Sequence, residues 1–251
     1  MTLVVRRSAK GVTPPVRPLL KGRKHRTSET WKQLRTLAVI ALKGGSGKTT
    51  VATHMALAAH RRGVDTLVVD MDRQCSAQNI LAARADPGPT CVTASGAQLM
   101  STQLAAVGLG KELLVVDTQA GAVEDAGEAI VLADLAIMVV RPTLLDLAGL
   151  APTLQIVSQL KKPSIVVVNQ APVAREGVEA PLVKRALRAL DYMRATVAPT
   201  ILRYRTIYQT ALETGRSAEE MWDPAAKREV ATLWKFVDAA VGAAAGGARR
   251  S

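Results

Sequence analysis

Aromatic side chains are scarce: one Phe, three Tyr and three Trp make up 3% of the 251 residues. A core for a chain of this length must therefore be filled by Val, Leu, Ile and Ala. That suits a parallel sheet covered on both faces by Ala-rich helices. Cysteine is almost missing, and Cys75 and Cys91 make neither a disulfide framework nor a metal-ligand spacing. The usage points to a reducing cytoplasm. No apolar run approaches the ~20 residues that a membrane-spanning helix needs. The N-terminus is basic but lacks an apolar stretch followed by a small-residue cleavage site, so no secretory signal is expected.

Acid is what the first 36 residues lack. They hold ten Lys/Arg against the single acid Glu29, while the chain as a whole carries a formal net charge of +12. A cationic tail of this kind suits contact with a polyanion, although a solubilising arm has the same composition. Pro14, Pro15 and Pro18 and the absence of apolar periodicity mark residues 1–35 as a basic flexible extension, with a short helix over Ser28–Arg35 capped by Ser28. Residues 36–242 read as one α/β domain and 243–251 as a disordered tail.

Within the domain, short β-branched runs alternate with longer Ala/Leu-rich segments. Strands are expected at Leu37–Leu42, Thr66–Asp70, Leu113–Asp117, Ala136–Val140, Ser164–Asn169 and Thr196–Leu202. Helices are expected at Lys48–Arg62, Ala122–Ala133, Leu144–Lys161, Glu179–Met193, Ile207–Thr214 and Ala225–Val241. The strands are continuous apolar runs, as strands buried on both faces are. The fold class is a doubly wound, mostly parallel sheet. Asp86–Gly110 gives no clear signal.

The segment Lys43-Gly44-Gly45-Ser46-Gly47-Lys48-Thr49-Thr50 leaves an apolar strand and opens an Ala-rich helix. Glycines let successive N–H groups curl around one anion, and the helix N-terminus adds partial positive charge. Lys48 then reaches the β- and γ-phosphates and the Thr49 hydroxyl takes Mg²⁺. Leu42 stands where the general phosphate-loop pattern begins with glycine, and Lys43 supplies the extra lysine of the deviant K-G-G-x-G-K-[ST] version. A glycine turn that binds nothing is the bland alternative.

Two further strands end in aspartate, Val69-Asp70-Met71-Asp72 and Val116-Asp117-Thr118. Ligands in open α/β sheets lie at the C-terminal strand ends, which aims these carboxylates at the phosphate loop. Asp117 fits the Mg²⁺-holding role, Asp72 the orientation of an attacking water, and Asp70 a supporting carboxylate. An aspartate that merely caps the next turn is the competing reading.

Lys43 with Lys48, Asp70 with Asp72, and Asp117-Thr118 together resemble the ParA/MinD superfamily of deviant Walker ATPases. The likeness runs from about Leu37 to Val241. Ala133-Asp134-Leu135, Arg141-Pro142-Thr143-Leu144-Leu145-Asp146-Leu147, Ile201-Leu202-Arg203 and Asp223-Pro224-Ala225-Ala226-Lys227 look like segments of small partition ATPases. The resemblance implies Mg²⁺ and ATP as cofactors and a homodimer formed around ATP, with Lys43 reaching the partner's phosphates. It further implies non-specific DNA binding, and slow hydrolysis stimulated by a ParB-like or small centromere-binding adaptor. The implied place is the cytoplasm, at the nucleoid. It also implies that Asn169 contacts adenine, although an Asn after a strand is also common in turns. A guanine-reading N-K-x-D motif would need Asp where Pro172 stands.

Arg203, Arg205, Arg216, Lys227 and Arg228 match positions used for DNA in that family, with Glu219, Glu220 and Glu229 close enough in sequence to make a solvated mixed surface instead. Arg73 and Cys75 replace the usual Pro and Gly, and Gln119 the usual Pro, at positions that couple hydrolysis to shape change. The alternatives are a MinD-like ATPase at a membrane and a small-molecule kinase or synthetase. The former needs a C-terminal helix with a bulky apolar and basic face, and Leu233-Trp234-Lys235-Phe236-Val237 fits core packing better, so no membrane partner is expected. A nitrogenase-reductase-like protein would need a cluster cysteine beyond Asp117, and both cysteines precede it.

Overall fold

The computed structural model describes residues 34–247. The basic extension up to residue 33 and the last four residues of the expected tail lie outside the described residues. So does most of the helix anticipated at Ser28–Arg35, and Arg35 itself opens a strand.

Six strands, β1 (Arg35–Ile40), β2 (Thr66–Asp70), β3 (Thr90–Thr93), β4 (Leu113–Asp117), β5 (Leu135–Val140) and β6 (Ser164–Val168), form one all-parallel sheet in the order β3-β2-β4-β1-β5-β6. Along β1 the side chains alternate between two cores. Leu37 and Val39 enter one, Ala38 and Ile40 the other. Both faces are dry, which is why the central strands read as unbroken apolar runs. Each fully buried Val, Leu or Ile contributes about 1.5–3 kcal/mol.

One face carries α1 (Lys48–His60), α7 (Thr206–Glu213) and α8 (Pro224–Gly247), joined by Ala77 and Leu81 of α2 (Ser76–Ala82). The other carries α3 (Gly96–Gly108), α4 (Val123–Leu132), α5 (Leu144–Gln159) and α6 (Pro181–Tyr192). Helix α1 is enclosed by the sheet and by α2, α7 and α8, so nearly every side chain from Val51 to Ala59 is buried. Its alanines allow that close approach on all sides.

Four expectations need correction. Thr196–Leu202 is not a strand: it touches the sheet through one isolated bridge, Val166 with Val197; the next bridge, Ala171 with Arg203, lies beyond both this stretch and β6, and Pro199 between the two bridges lacks the N–H that a ladder needs. The silent stretch after Asp86 contains β3 and α3. The strand is a short, half-exposed edge with little apolar signal, and α3 begins at a capping box in which Ser95 and Gln98 satisfy each other's backbone N–H. Helix α2 was not expected at all. Finally, α8 continues through 243–247, where a tail was expected, because Ala243, Ala244 and Ala245 are strong helix formers and Ala245 packs one turn beyond buried Val241.

Candidate functional site

The phosphate loop leaves β1, which lies between β4 and β5, and runs into α1. Its turn is made by two glycines with positive φ, Gly45 at 75° and Gly47 at 92°. Gly47 is doubly constrained. A Cβ there would stand 2.2 Å from Asn169 Nδ2. That same amide group donates to the Ser46 carbonyl at 2.8 Å, and Gln170 Nε2 donates to the Gly45 carbonyl at 3.1 Å. The end of β6 therefore braces the loop from outside. Gly44 and Gly45 are exposed, whereas Ser46 is buried with its Oγ unpartnered.

Lys48 is buried at the start of α1. Burial pushes its ammonium down from the usual lysine range, while the charges of Asp117 and Asp72 pull it back up. Asp117 ends β4, in register with Asp70 on β2 and Val39 on β1. It is 0% exposed, and neither carboxylate oxygen has a hydrogen-bond partner of normal geometry. Burial pushes its pKa up to about 7, against the pull of the Thr49 hydroxyl and Lys48 and with the help of Asp70 and Asp72. An unpartnered buried carboxylate is costly unless something binds it. Facing a threonine hydroxyl, it forms an oxygen donor set that fits a hard divalent cation. The open glycine turn fits a phosphate chain.

Asp70 is occupied differently. Its Oδ1 accepts from Asp72 N at 3.0 Å and its Oδ2 from Gln78 N at 3.0 Å, tying the loop after β2 to α2. Asp72 accepts from Gln74 N at 2.9 Å, and its carbonyl accepts from Cys75 N at 2.9 Å. This tight turn places Cys75 at φ 51°, a left-handed conformation that favours glycine.

Lys43 stands at the loop's mouth with its side chain 40% exposed and its Nζ 3.6 Å from Asp146 Oδ1. Asp146 was not singled out from the sequence, nor was Arg141. The two form a two-point pair, Arg141 Nε to Oδ2 at 3.1 Å and Nη2 to Oδ1 at 3.2 Å. The Thr143 hydroxyl also donates to Asp146, and Asp146 N donates back to it at 3.2 Å, capping α5. Burial alone would raise the Asp146 carboxyl. The hydrogen bonds from Thr143 and Arg141 and the charges of Arg141 and Lys43 outweigh it and hold the group below its ordinary value. Arg141 and Asp146 both lie in the segment Arg141–Leu147, which the sequence marked only by its family resemblance.

After Asn169, the chain folds into a small hairpin bridged between Arg175 and Val178. It bounds a cavity of about 350 Å³ lined by Pro172, Val173, Val178 and Pro181, with Arg175 and Glu179 at its edge.

The basic residues singled out for DNA divide into two groups. Arg203 and Arg205 are not free cations. Arg203 grips Glu179 with both guanidinium nitrogens, and Arg205 holds Glu229 at 3.0 and 3.1 Å; Glu229 also accepts from Tyr208 at 2.7 Å. The fold brings these acids in from elements distant in sequence. Arg216, Lys227 and Arg228 are exposed and form no ion pair among the described residues. The apolar side of the C-terminal helix is consumed by packing: Leu233, Trp234 and Val237 are buried in the core. Among the described residues, no helix is long and apolar enough to cross a membrane.

The fold has counterparts among solved structures. The structure superposes on McdA of Cyanothece with a TM-score of 0.69 and 17% identity, over 82% of this chain and 100% of the other. It matches the cell division ATPase MinD of Pyrococcus furiosus with a TM-score of 0.64 and 17% identity, over 81% and 98% of the two chains. A plasmid-partition protein candidate of Borrelia burgdorferi, bound to AMPPNP, gives 0.63 at 14% identity, over 82% and 99%. At this level of identity the likeness concerns the fold. A replication protein A candidate of Rhizobium rhizogenes is 40% identical over 60 residues, 23% of this chain. The chain spans 15% of the length of that relative. Residues 37–217 match the CobQ/CobB/MinD/ParA nucleotide binding domain, and that span holds the glycine turn, Lys48, Asp72, Asp117 and the β6 brace. The chain belongs to this family of ParA/MinD-type nucleotide-binding ATPases.

Proposed function

We propose that this protein is an ATP-gated DNA partition ATPase: it dimerises on Mg²⁺-ATP, holds DNA without sequence preference, and lets go after slow hydrolysis stimulated by a cargo- or centromere-binding partner. The observation that carries the reading is the buried pair Lys48 and Asp117, with Asp72 half-buried beside them, at a loop whose second lysine, Lys43, is left half exposed at the rim. A small-molecule kinase needs the first three of these. It has no use for a second lysine held at the rim only by the charge of Asp146.

The roles follow from placement. Backbone N–H groups of Gly44 to Thr50 cradle the phosphates, and Lys48 neutralises them from within. Thr49 and Asp117 would hold Mg²⁺, which when bound draws charge from the phosphate oxygens. Asp72 orients the attacking water, while Asp70 keeps the Asp72 turn in place. The cavity beyond Asn169 accommodates a purine, with Pro172 and Val178 offering apolar faces. The Asn169 amide group is committed to Ser46, which leaves its Oδ1 for the base. Lys43 crosses to the partner protomer's phosphates and stabilises charge that develops there. DNA contact falls to Arg216, Lys227 and Arg228, with the basic residues that precede β1 adding phosphate contacts. Packing of α8 removes the apolar face that membrane docking would need, so a MinD-like membrane cycle is not favoured.

Binding to random-sequence duplex DNA, measured with ATP, with ADP and without nucleotide across a salt series, tests the reading. Tight binding only with ATP, lost in Lys43→Ala, is the expected result. Each phosphate contact adds about 0.9 to the salt slope. Binding that ignores the nucleotide would leave only an electrostatic tail, and no binding in any state would sink the partition reading. Asp72→Ala is expected to keep the ATP-bound dimer while turnover stops.

A further inference from the structure

Two cations share one buried carboxylate at the rim of the phosphate loop, and they hold it unequally. Arg141 takes both oxygens of Asp146 in a planar fork at 3.1 and 3.2 Å. Lys43 stands 3.6 Å away, beyond hydrogen-bond distance, on a side chain 40% exposed against 2% for Asp146. A planar fork matches a carboxylate; a flexible ammonium on a four-carbon stem does not need to. The lysine is thus held by charge alone in a partly wet place, where such contacts are weak. If Arg141 were absent, the buried Asp146 would have only Thr143 and Lys43 to neutralise and solvate it. A buried carboxylate left without its partner is costly, so Lys43 would be drawn into a direct pair.

We infer that Arg141 is a positioning residue for Lys43: by satisfying Asp146 within its own chain, it keeps Lys43 loosely held and free to reach a partner protomer's phosphate. The inference rests on the reading that Lys43 acts across a dimer. It assigns Arg141 no contact with nucleotide. Its guanidinium lies beside the loop, with Nη1 3.8 Å from the position a Gly45 Cβ would take, close enough to share the rim. Asp146 also caps α5 through Thr143, so the hold on Lys43 is anchored to a helix rather than to a loop.

The consequence is quantitative. Losing Arg141 should strengthen the hold on Lys43 about threefold in each protomer, the scale of one partly exposed ion pair. Because both protomers must release a lysine, the dimer should weaken about tenfold. Binding of nucleotide to the monomer should stay within about twofold, since the loop and Lys48 are untouched.

Sedimentation of the full chain with Mg²⁺ and a slowly hydrolysed ATP analogue, over a concentration series, measures this. A parallel titration of the analogue at monomer concentrations reads the loop alone. Four proteins are compared: unsubstituted, Arg141→Ala, Asp146→Asn and Arg141→Ala/Asp146→Asn. The expected pattern is a dimer about tenfold weaker in Arg141→Ala and no weaker than unsubstituted in Asp146→Asn. The double variant should return to the Asp146→Asn value, because without the carboxylate charge there is nothing left to hold the lysine. A merely structural Arg141 would not be rescued in this way. If Arg141→Ala matches the unsubstituted protein, or the double variant stays as weak as Arg141→Ala, the positioning role is overturned with the dimer reading intact. If the unsubstituted chain does not dimerise with the analogue, the dimer reading fails first and the role of Arg141 fails with it. Should Arg141→Ala not fold, Arg141→Lys, which keeps a charge without the fork, takes its place: its dimer must be weaker than the unsubstituted one, and adding Asp146→Asn must restore it, or the positioning role is overturned.

Discussion

His54 provides a direct test of how the core is built. It lies on α1, immediately behind the phosphate loop, at 0% exposure, with neither ring nitrogen hydrogen-bonded. Its ring stacks at a tilt on Tyr208, the centroids 5.2 Å apart. Burial pushes its pKa down from 6.5 to about 4, with the charge of Glu220 opposing the shift. The folded protein therefore carries a neutral imidazole through a pH range in which the unfolded chain takes up a proton. Between pH 6.5 and 4 the unfolded state binds more protons, so stability falls as pH is lowered through that window and levels off below it. At about 1.4 kcal/mol per pKa unit, the loss amounts to about 3 kcal/mol. His54→Leu, of similar volume and without polar atoms, should lose that dependence and be as stable as the unsubstituted chain at pH 7, or more so by about 1 kcal/mol. Urea melts of both proteins from pH 4 to 8, without nucleotide, give the comparison. Carboxylates titrate in both, so the difference between the curves isolates His54. Parallel curves would show that the imidazole is solvated or partnered in the native state, and that the close packing of α1 has been overstated.

Other substitutions probe the site itself. Gly47→Ala combines a φ of 92° with a Cβ 2.2 Å from Asn169 Nδ2; it should cost about 1–2 kcal/mol from the backbone alone and abolish nucleotide binding, read by titration with a fluorescent ATP analogue. Cys75→Gly relieves a left-handed residue at φ 51° and should raise stability by up to about 1 kcal/mol, read as a shift in the urea midpoint. Lys227→Ala/Arg228→Ala should weaken ATP-dependent DNA binding and lower its salt slope by about 2 without changing the melting curve. Arg203→Ala should do the reverse, destabilising the fold by about 2 kcal/mol through loss of the charge-assisted Glu179 pair, measured by the same melts.

The sequence made the phosphate side of the site legible because its chemistry is local. A glycine turn between a strand and a helix declares itself within Lys43–Thr50, and the aspartates that complete it end apolar runs that could be placed in a parallel sheet. Two kinds of information were not local. Thr196–Leu202 has strand composition, and only Pro199, together with its place outside β6, keeps it from joining the ladder. Strand β3 is an edge whose exposed and half-exposed side chains carry no periodic apolar signal. In both, tertiary position overrode propensity.

The charged residues show the same division more sharply. Arg203 and Arg205 were singled out as cations for DNA, with Glu229 weighed only as part of a solvated mixed-charge surface. The fold brings Glu179 in from before α6 and Glu229 from α8, and both arginines are spent internally. Arg141 and Asp146 were visible too, but only as members of a segment that looks like one in small partition ATPases. Their meaning depends on β5 lying beside β1, which sets the end of β5 against the rim of the loop that leaves β1. A cation's partner, and hence whether it is available to a ligand, is decided by strand order rather than by neighbours in the chain. For Lys43 that decision is the central one. With β5 elsewhere it would be an unrestrained surface lysine; beside β5 it stands 3.6 Å from a carboxylate whose two oxygens Arg141 already takes.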